Sequence, residues 1–410
     1  MKNQSGEREM LKWIGRGLLA LVAVVLVLGL VNRDRLERLW RVNTLFDEER
    51  IVANFTDMRG MFFAADMVLG DAPVTPLPEA PVGLPKTFSY GGETFVVADW
   101  LEANAAAALV VLKDGAIAHE AYFSGSAEDL RISWSVAKSF LSVLLGTVVE
   151  RGEITSLDDP VTQYAPELVG SAYEGATVRD VAHMASGVAF NEDYFDFDSD
   201  INRMGRVLAL GGSMDEFAAA LEVRDRPPGQ FWQYVSIDTH VLSMVIRGAT
   251  GRSVVELMAE RVMTPLGLEA DPYYLTDGFG TAFVLGGLNL RTRDYARFGL
   301  MVMDGGVIDG RHIVSNDWIL DSTRATAPSI APDYFPDFDP ATGYGLQWWV
   351  PPNPEPGEVY GIGVYDQFIY VNPGRGVVVA LNSANRDFAD DGVQDRQIAF
   401  FRAIAAHLSP

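Results

Sequence analysis

The chain of 410 residues contains no cysteine, and lysine is almost as scarce, with only Lys2, Lys12, Lys86, Lys113 and Lys138. The first absence removes disulfide frameworks, thiolate nucleophiles and thiolate metal sites, and leaves the redox compartment unreadable. Basic charge is also short: 32 Lys and Arg stand against 55 Asp and Glu, for a formal charge of −23. A phosphate backbone needs a basic face, so nucleic acid is not an expected partner, and an acidic surface chiefly favours solubility. No Gly-x-Ser-x-Gly elbow occurs, and none of His119, His183, His240, His312 and His407 falls in a pattern that would pair it with a serine, which argues against a Ser-His-Asp hydrolase. With 48% apolar residues the chain can bury a large core, in one big or two interleaved domains.

One long hydrophobic run is present. No charge interrupts Gly17 to Val31, and Trp13 and Ile14 extend the run upstream across Arg16. The segment fits either a signal peptide or an uncleaved anchor, and the weak small-residue match at Val27 and Gly29 favours the anchor, residues 1–31. Lys2, Arg8, Lys12 and Arg16 before the run balance Arg33, Arg35, Arg38 and Arg41 after it, so charge does not set the orientation. A short leader before a long acidic chain places the large domain outside the cytoplasm, in the periplasm. Residues 32–85, ending in APVTPLPEAPVGLP, read as a semi-rigid connector wrapped on or near the body.

The body, residues 86–410, opens with apolar Ala106 to Leu112, a turn at Asp114-Gly115 and a return strand. It closes with Phe368 to Val371, the turn NPGRG, the strand Val377 to Leu381, and a helical tail. The middle carries helical spacing, as in MDEFAAALE. An α+β fold is expected: an antiparallel sheet flanked by helices from residues 86–160 and 286–410, with a mostly helical insertion at 161–285.

Chemistry-bearing residues cluster in three places. In SWSVAKSF, Ser135 and Lys138 fall on one helix face, and the apolar FLSVLLGTVV after them implies burial. Burial lowers an amine's pKa and makes it a base near neutrality. The same residues also fit a serine helix start with a solvated lysine, but Lys138 is the only lysine with a serine three positions earlier. Tyr234 stands at the entrance of a second amphipathic helix; beside an ammonium its pKa would fall and it could relay a proton, although a tyrosine there is more often a packing aromatic. The glycine-rich start of YGIGVYDQFIYV lets backbone approach a ligand, or forms a bulge.

In this order the three elements resemble the serine β-lactamase and penicillin-binding-protein superfamily. The similarity runs from about Phe88 to Leu408 and includes SLDDPVTQYAPEL, VRDVAHMASGV, GGLNLRTRDYARFGLMVMDGG and YGLQWWV. It implies Ser135 as acylated nucleophile, Lys138 as its base, Tyr234 as the class C type tyrosine, and the main-chain N–H groups of Ser135 and Val364 as oxyanion hole. No cofactor or metal is implied.

Departures from the class C pattern bear on substrate. Ser236 stands where Tyr-x-Asn is usual, and Gly361-Ile362-Gly363 where Lys-Thr-Gly would hold a carboxylate. Losing that ion pair should cost on the order of a few kcal/mol in recognising a β-lactam or D-alanyl peptide. Tyr234 to Thr239 and Gly361 to Gln367 are more similar to the 6-aminohexanoate-dimer hydrolase branch and its esterase relatives, with Ser236, Gly361, Ile362 and Gly363 at the substrate; Asp366 departs from the glycine usual there. The expected substrate is a small amide or ester; the alternatives are a β-lactamase or DD-peptidase, or a non-catalytic acylated membrane receptor. Five acids between Glu192 and Asp200 read as a solvated loop, or as a lure for a substrate amine. Calcium is rejected, because Ile201 occupies the position where an EF-hand needs glycine. Oligomeric state is not readable.

Overall fold

The Asp114-Gly115 turn behaves as its residues dictate. In the computed structural model, which describes residues 3–334 and 339–409, both have positive φ (49° and 80°), the geometry that matches strand twist in a two-residue hairpin. Lys2 of the N-terminal charge balance lies outside the described residues. The hairpin joins β1 (Ala106–Lys113) to β2 (Ala116–Tyr122). Five more strands complete an antiparallel sheet: β3 (Gly343–Tyr344), β4 (Trp349–Val350), β5 (Val359–Gly363), β6 (Gln367–Asn372) and β7 (Val377–Ser383), in the order β3-β4-β5-β6-β7-β1-β2. The first and last apolar runs of the body therefore meet, with Val379 opposite Val111 and Leu381 opposite Leu109.

Strands β1 and β7 are continuous apolar runs because both faces are covered. Val110, Leu112, Val378 and Ala380 join a core with Phe140, Leu141 and Leu144 of the helix Ala137–Glu150 and Phe298 of the helix Thr292–Met303. Leu109, Val111, Val377 and Val379 enter a second core with Phe400, Phe401 and Ile404 of the terminal helix Val393–Leu408. Gly299 lets its helix lie on the sheet: a Cβ there would stand 2.5 Å from a Val378 methyl.

The middle segment is mostly helical, with Ser236–Thr250 as its longest helix, but it also supplies a strand, Tyr273–Thr276. That strand lies in a second antiparallel sheet between Phe63–Asp66 and Leu288–Leu290, and Arg131–Ile132 completes the far edge. Residues read from sequence as connector are thus built into the body. Leu45, Ile51, Phe55, Met58, Met61 and Met67 are all buried in the larger core, and the Phe55 carbonyl accepts from the Ile132 N–H at 3.1 Å. The proline-spaced stretch runs along the free edge of β2, where Ala80 and Val82 donate to Ile117 and Ala118. It covers an edge that would otherwise be open to pairing.

At the N-terminus a helix spans Asn3–Val31, and within its part from Glu9 to Val31 the most apolar 18-residue window has a mean hydropathy of 2.6 with none of it buried. That is long and apolar enough to cross a membrane, a property signal sequences share.

Candidate active site

Ser135 sits where the second sheet hands over to the large core. After Ile132 the Ser133 N–H donates to the Leu288 carbonyl (2.8 Å), and Trp134 takes a left-handed φ of 40°. A bulky residue adopts that backbone only where its surroundings force it, and such strain gathers at functional turns. A single 3₁₀ turn, Trp134–Val136, then feeds the helix Ala137–Glu150. Strand β5 presses on this turn, and its glycine is required there. A Cβ on Gly363 would stand 2.6 Å from the Ser133 carbonyl oxygen and 2.9 Å from the Ser135 nitrogen. The close approach expected of Gly361-Ile362-Gly363 is thus to the protein's own backbone, with Gly361 facing the Ser139 hydroxyl.

Lys138 is buried one turn on, and its Nζ has three oxygen neighbours: Ser135 Oγ at 2.8 Å, the Leu285 carbonyl at 3.0 Å and Ser236 Oγ at 3.2 Å. Burial pushes its pKa down to about 7, against an opposing pull from the Glu192 carboxylate. Ser236 heads the helix Ser236–Thr250; its N–H donates to Glu192 Oε2 (2.9 Å) and its hydroxyl to Glu192 Oε1. The Tyr194 hydroxyl gives Glu192 a third donor at 2.8 Å. Burial raises the Glu192 pKa, with Lys138 and these donors acting the other way.

Tyr234 is buried, and its hydroxyl interacts with the side chains of Ser135 and Ser236, while Lys138 Nζ lies 5.1 Å from its ring centre. Its pKa is raised, where the sequence reading expects it lowered. Desolvation is the largest cause, the Glu192 charge adds to it, and a lysine titrating near 7 supplies little opposing field. Tyr234 is held as a neutral phenol.

These groups open on a cavity of about 480 Å³. Ser135, Tyr234, Ile362, Gly363 and Val364 line it; Ser236, against Lys138, and Gly361, within β5 and facing Ser139, are both outside the lining. Tyr334, Trp349, Phe195 and Phe388 make much of the wall aromatic, and no lysine or arginine is among the described lining residues. The acidic loop divides in two. Phe195 and Phe197 are exposed, as are Asp193, Asp196 and Asp198, whereas Glu192 turns inward to Ser236. Sequence reasoning missed Glu192, since nothing local separates it from Asp193 and its partner lies 44 positions away.

The chain matches the family described as Beta-lactamase over residues 97–403. It is 33% identical over 293 residues to a 6-aminohexanoate-dimer hydrolase of Paenarthrobacter ureafaciens, covering 69% of this chain and 74% of that protein. Among solved structures, a Bacillus anthracis protein provisionally assigned as a 6-aminohexanoate-dimer hydrolase superposes with a TM-score of 0.78 at 24% identity, over 89% of this chain and 96% of that one. A D-stereospecific amidohydrolase from a Streptomyces species gives 0.55 at 20% identity, over 75% and 98%. The serine β-lactamase-like α+β fold, the Ser135-Lys138 pair in its core and these likenesses agree: the chain belongs to the β-lactamase family, as a serine hydrolase similar to 6-aminohexanoate-dimer hydrolase.

Proposed function

We propose that the protein hydrolyses a small amide or ester through an acyl-enzyme on Ser135. The observation that carries this is the surroundings of Lys138 Nζ. A neutral amine has two N–H donors and one lone pair. The Leu285 carbonyl can only accept, and Ser236 accepts from Lys138 because its own hydrogen goes to Glu192. The lone pair is left for the Ser135 hydroxyl, at a pKa of about 7 where the neutral form is well populated.

In this reading Lys138 takes the Ser135 proton as Oγ bonds to the substrate carbonyl carbon. The developing oxyanion is received by the N–H groups of Ser135 and Val364. Tyr234, a neutral phenol beside Ser135 and Ser236, passes a proton to the leaving nitrogen or oxygen as the scissile bond breaks, and is reprotonated from Lys138 when the Ser236 hydroxyl turns from Glu192 to relay the proton. A water then attacks the acyl-enzyme along the reverse proton path and regenerates Ser135. The absence of lysine and arginine among the described lining residues supports poor recognition of β-lactams, whose carboxylate would find no cation there.

Fluorophosphonate labelling mapped to Ser135, with turnover of p-nitrophenyl acetate or butyrate well above that of penicillins and cephalosporins, is the expected result. Labelling elsewhere would overturn the nucleophile, and β-lactam hydrolysis rivalling esterase activity would overturn the substrate class. A stoichiometric burst without steady state would assign the chain to an acylated receptor. Residues 9–31 are read as an uncleaved anchor with the hydrolase domain outside the cytoplasm; N-terminal sequencing of membrane-extracted protein tests this.

A further inference from the structure

Val364, whose N–H is read as one of the two oxyanion donors, stands at the head of a turn that would not keep its shape unaided. It follows β5 directly, and β5 lies so close to the nucleophile turn that a Cβ on Gly363 would stand 2.9 Å from the Ser135 nitrogen. The next two residues, Tyr365 and Asp366, both have left-handed backbones, with φ of 61° and 63°. Consecutive non-glycine residues in that region are costly and persist only where the surroundings impose them.

The group that imposes them is Gln367, 2% exposed at the start of β6. Its Nε2 donates to the Ser383 carbonyl at 2.6 Å and to the Tyr365 carbonyl at 3.0 Å, and reaches the Val364 carbonyl at 3.4 Å. One amide thus ties both sides of the turn to β7. Its orientation is fixed in turn: Asn382 Nδ2 donates to Gln367 Oε1 at 3.2 Å, and the Thr292 hydroxyl donates to Asn382 Oδ1 at 2.9 Å. A flipped amide would face those carbonyls with its own oxygen. Asn385 adds to the hold, its N–H donating to the Tyr365 carbonyl at 3.3 Å and its Nδ2 to Asp366 Oδ2 at 2.7 Å. Every residue of β6 is buried, so an apolar side chain at 367 would cost no desolvation; the amide is explained by the carbonyls it satisfies.

We propose that Gln367 is a positioning residue for acyl transfer, which sets the turn from Val364 to Asp366 and so holds the Val364 N–H beside the Ser135 N–H to receive the oxyanion. This rests on the acyl-enzyme reading of the cavity. Gln367 lies outside the cavity lining and acts through the backbone.

The test uses the whole protein and Gln367→Met, which keeps the length of the side chain and removes its donors. For p-nitrophenyl butyrate, kcat per fluorophosphonate-titrated site is expected to fall about ten- to a hundredfold, as displacing an oxyanion donor would require. KM and the pH dependence should stay in place, because neither the binding walls nor Lys138 is touched. Affinity for butylboronic acid, whose adduct on Ser135 puts a hydroxyl in the oxyanion position, should fall by a similar factor. Gln367→Asn keeps the amide but shortens its reach, so its loss should be smaller, and it carries the test if the methionine variant does not fold. A lower melting temperature with kcat per site unchanged would reduce Gln367 to a structural role and overturn the assignment. A loss confined to KM, or a shifted pH profile, overturns it as well. If the wild type is not labelled at Ser135, the acyl-enzyme reading is at fault, and hydrogen exchange decides the turn separately. The backbone amides from Val364 to Gln367 should exchange faster in Gln367→Met than in the wild type; equal exchange overturns the role of Gln367.

Discussion

Glu192 and Asp366 are acids on the wall of one cavity, yet their surroundings differ in kind. Glu192 accepts from a backbone N–H and two hydroxyls and faces a lysine across Ser236. Among the described residues Asp366 has one amide donor and no lysine or arginine beside it in the lining, and its backbone is left-handed. Both carboxylate oxygens of Glu192 have donors within the protein, which holds the acid in place. The Glu192 wall is thus closed within the protein, while the Asp366 wall keeps one open acceptor among the described residues.

The largest effects should come from the closed wall. Ser135→Ala is expected to abolish covalent labelling, and Lys138→Ala and Tyr234→Phe each to lower turnover by roughly two to four orders of magnitude, because the groups act as one unit. All three should remain folded by circular dichroism. Retained activity in Ser135→Ala would end the proposed mechanism.

The open wall depends on a segment far away in sequence. Tyr365 stacks on Phe46 at 4.9 Å and meets Phe55 edge-on at 5.4 Å, and Phe55 also packs on Trp134. A chain beginning at Arg33 should melt close to the full-length protein, whereas one beginning at Lys86 exposes the core residues that Phe55, Met58, Met61 and Met67 cover. Each such side chain contributes about 1.5–3 kcal/mol on burial, more together than a typical margin of stability spares. The shorter chain should be insoluble or melt far lower; equal melting temperatures would show that residues 33–85 are dispensable.

What could be read from sequence follows the same division. Ser135 and Lys138 lie within one helical turn, and β1 and β7 announce themselves as apolar runs with recognisable turns, so local pattern sufficed for both. The role of residues 44–67 was hidden because Phe55 and the methionines bury against partners distant in sequence, with too short a run to show a period. Glu192 was hidden among four other acids, and Tyr234 was assigned the wrong direction of pKa shift, because both depend on tertiary burial. Asp366 was visible only as a departure from glycine.

A smaller effect should distinguish the charge on Glu192 from its shape. In the proposed mechanism Lys138 acts as a neutral base, so the rate should rise with pH through about 7. The Glu192 charge holds the Lys138 pKa up, so Glu192→Gln removes that support, and the acid limb of the kcat/KM profile should move to lower pH. An acid limb that stays in place or moves up would mean that Glu192 does not carry its charge toward Lys138.

The smallest effect concerns stability, and here Asp366 should count against the fold. Burial raises its pKa to about 7 from an ordinary 3.8, with the Asn385 amide pulling the other way. Between those values the folded chain binds the proton that the unfolded chain has released. Stability credited to the protonated acid is therefore complete below about pH 4 and is lost as pH rises through 7. Asp366→Gly removes both this penalty and the left-handed backbone strain at φ of 63°, the latter about 1–2 kcal/mol, offset in part by the lost Asn385 bond. The variant should melt a few degrees above the wild type at pH 8, with the gap narrowing steadily toward pH 4. Asp366→Asn, uncharged at every pH and tolerant of this backbone, should show the same narrowing. A pH-independent difference would show that the Asp366 carboxyl does not change its charge on unfolding, and a wild type that melts higher at every pH would show that its bond to Asn385 outweighs both costs.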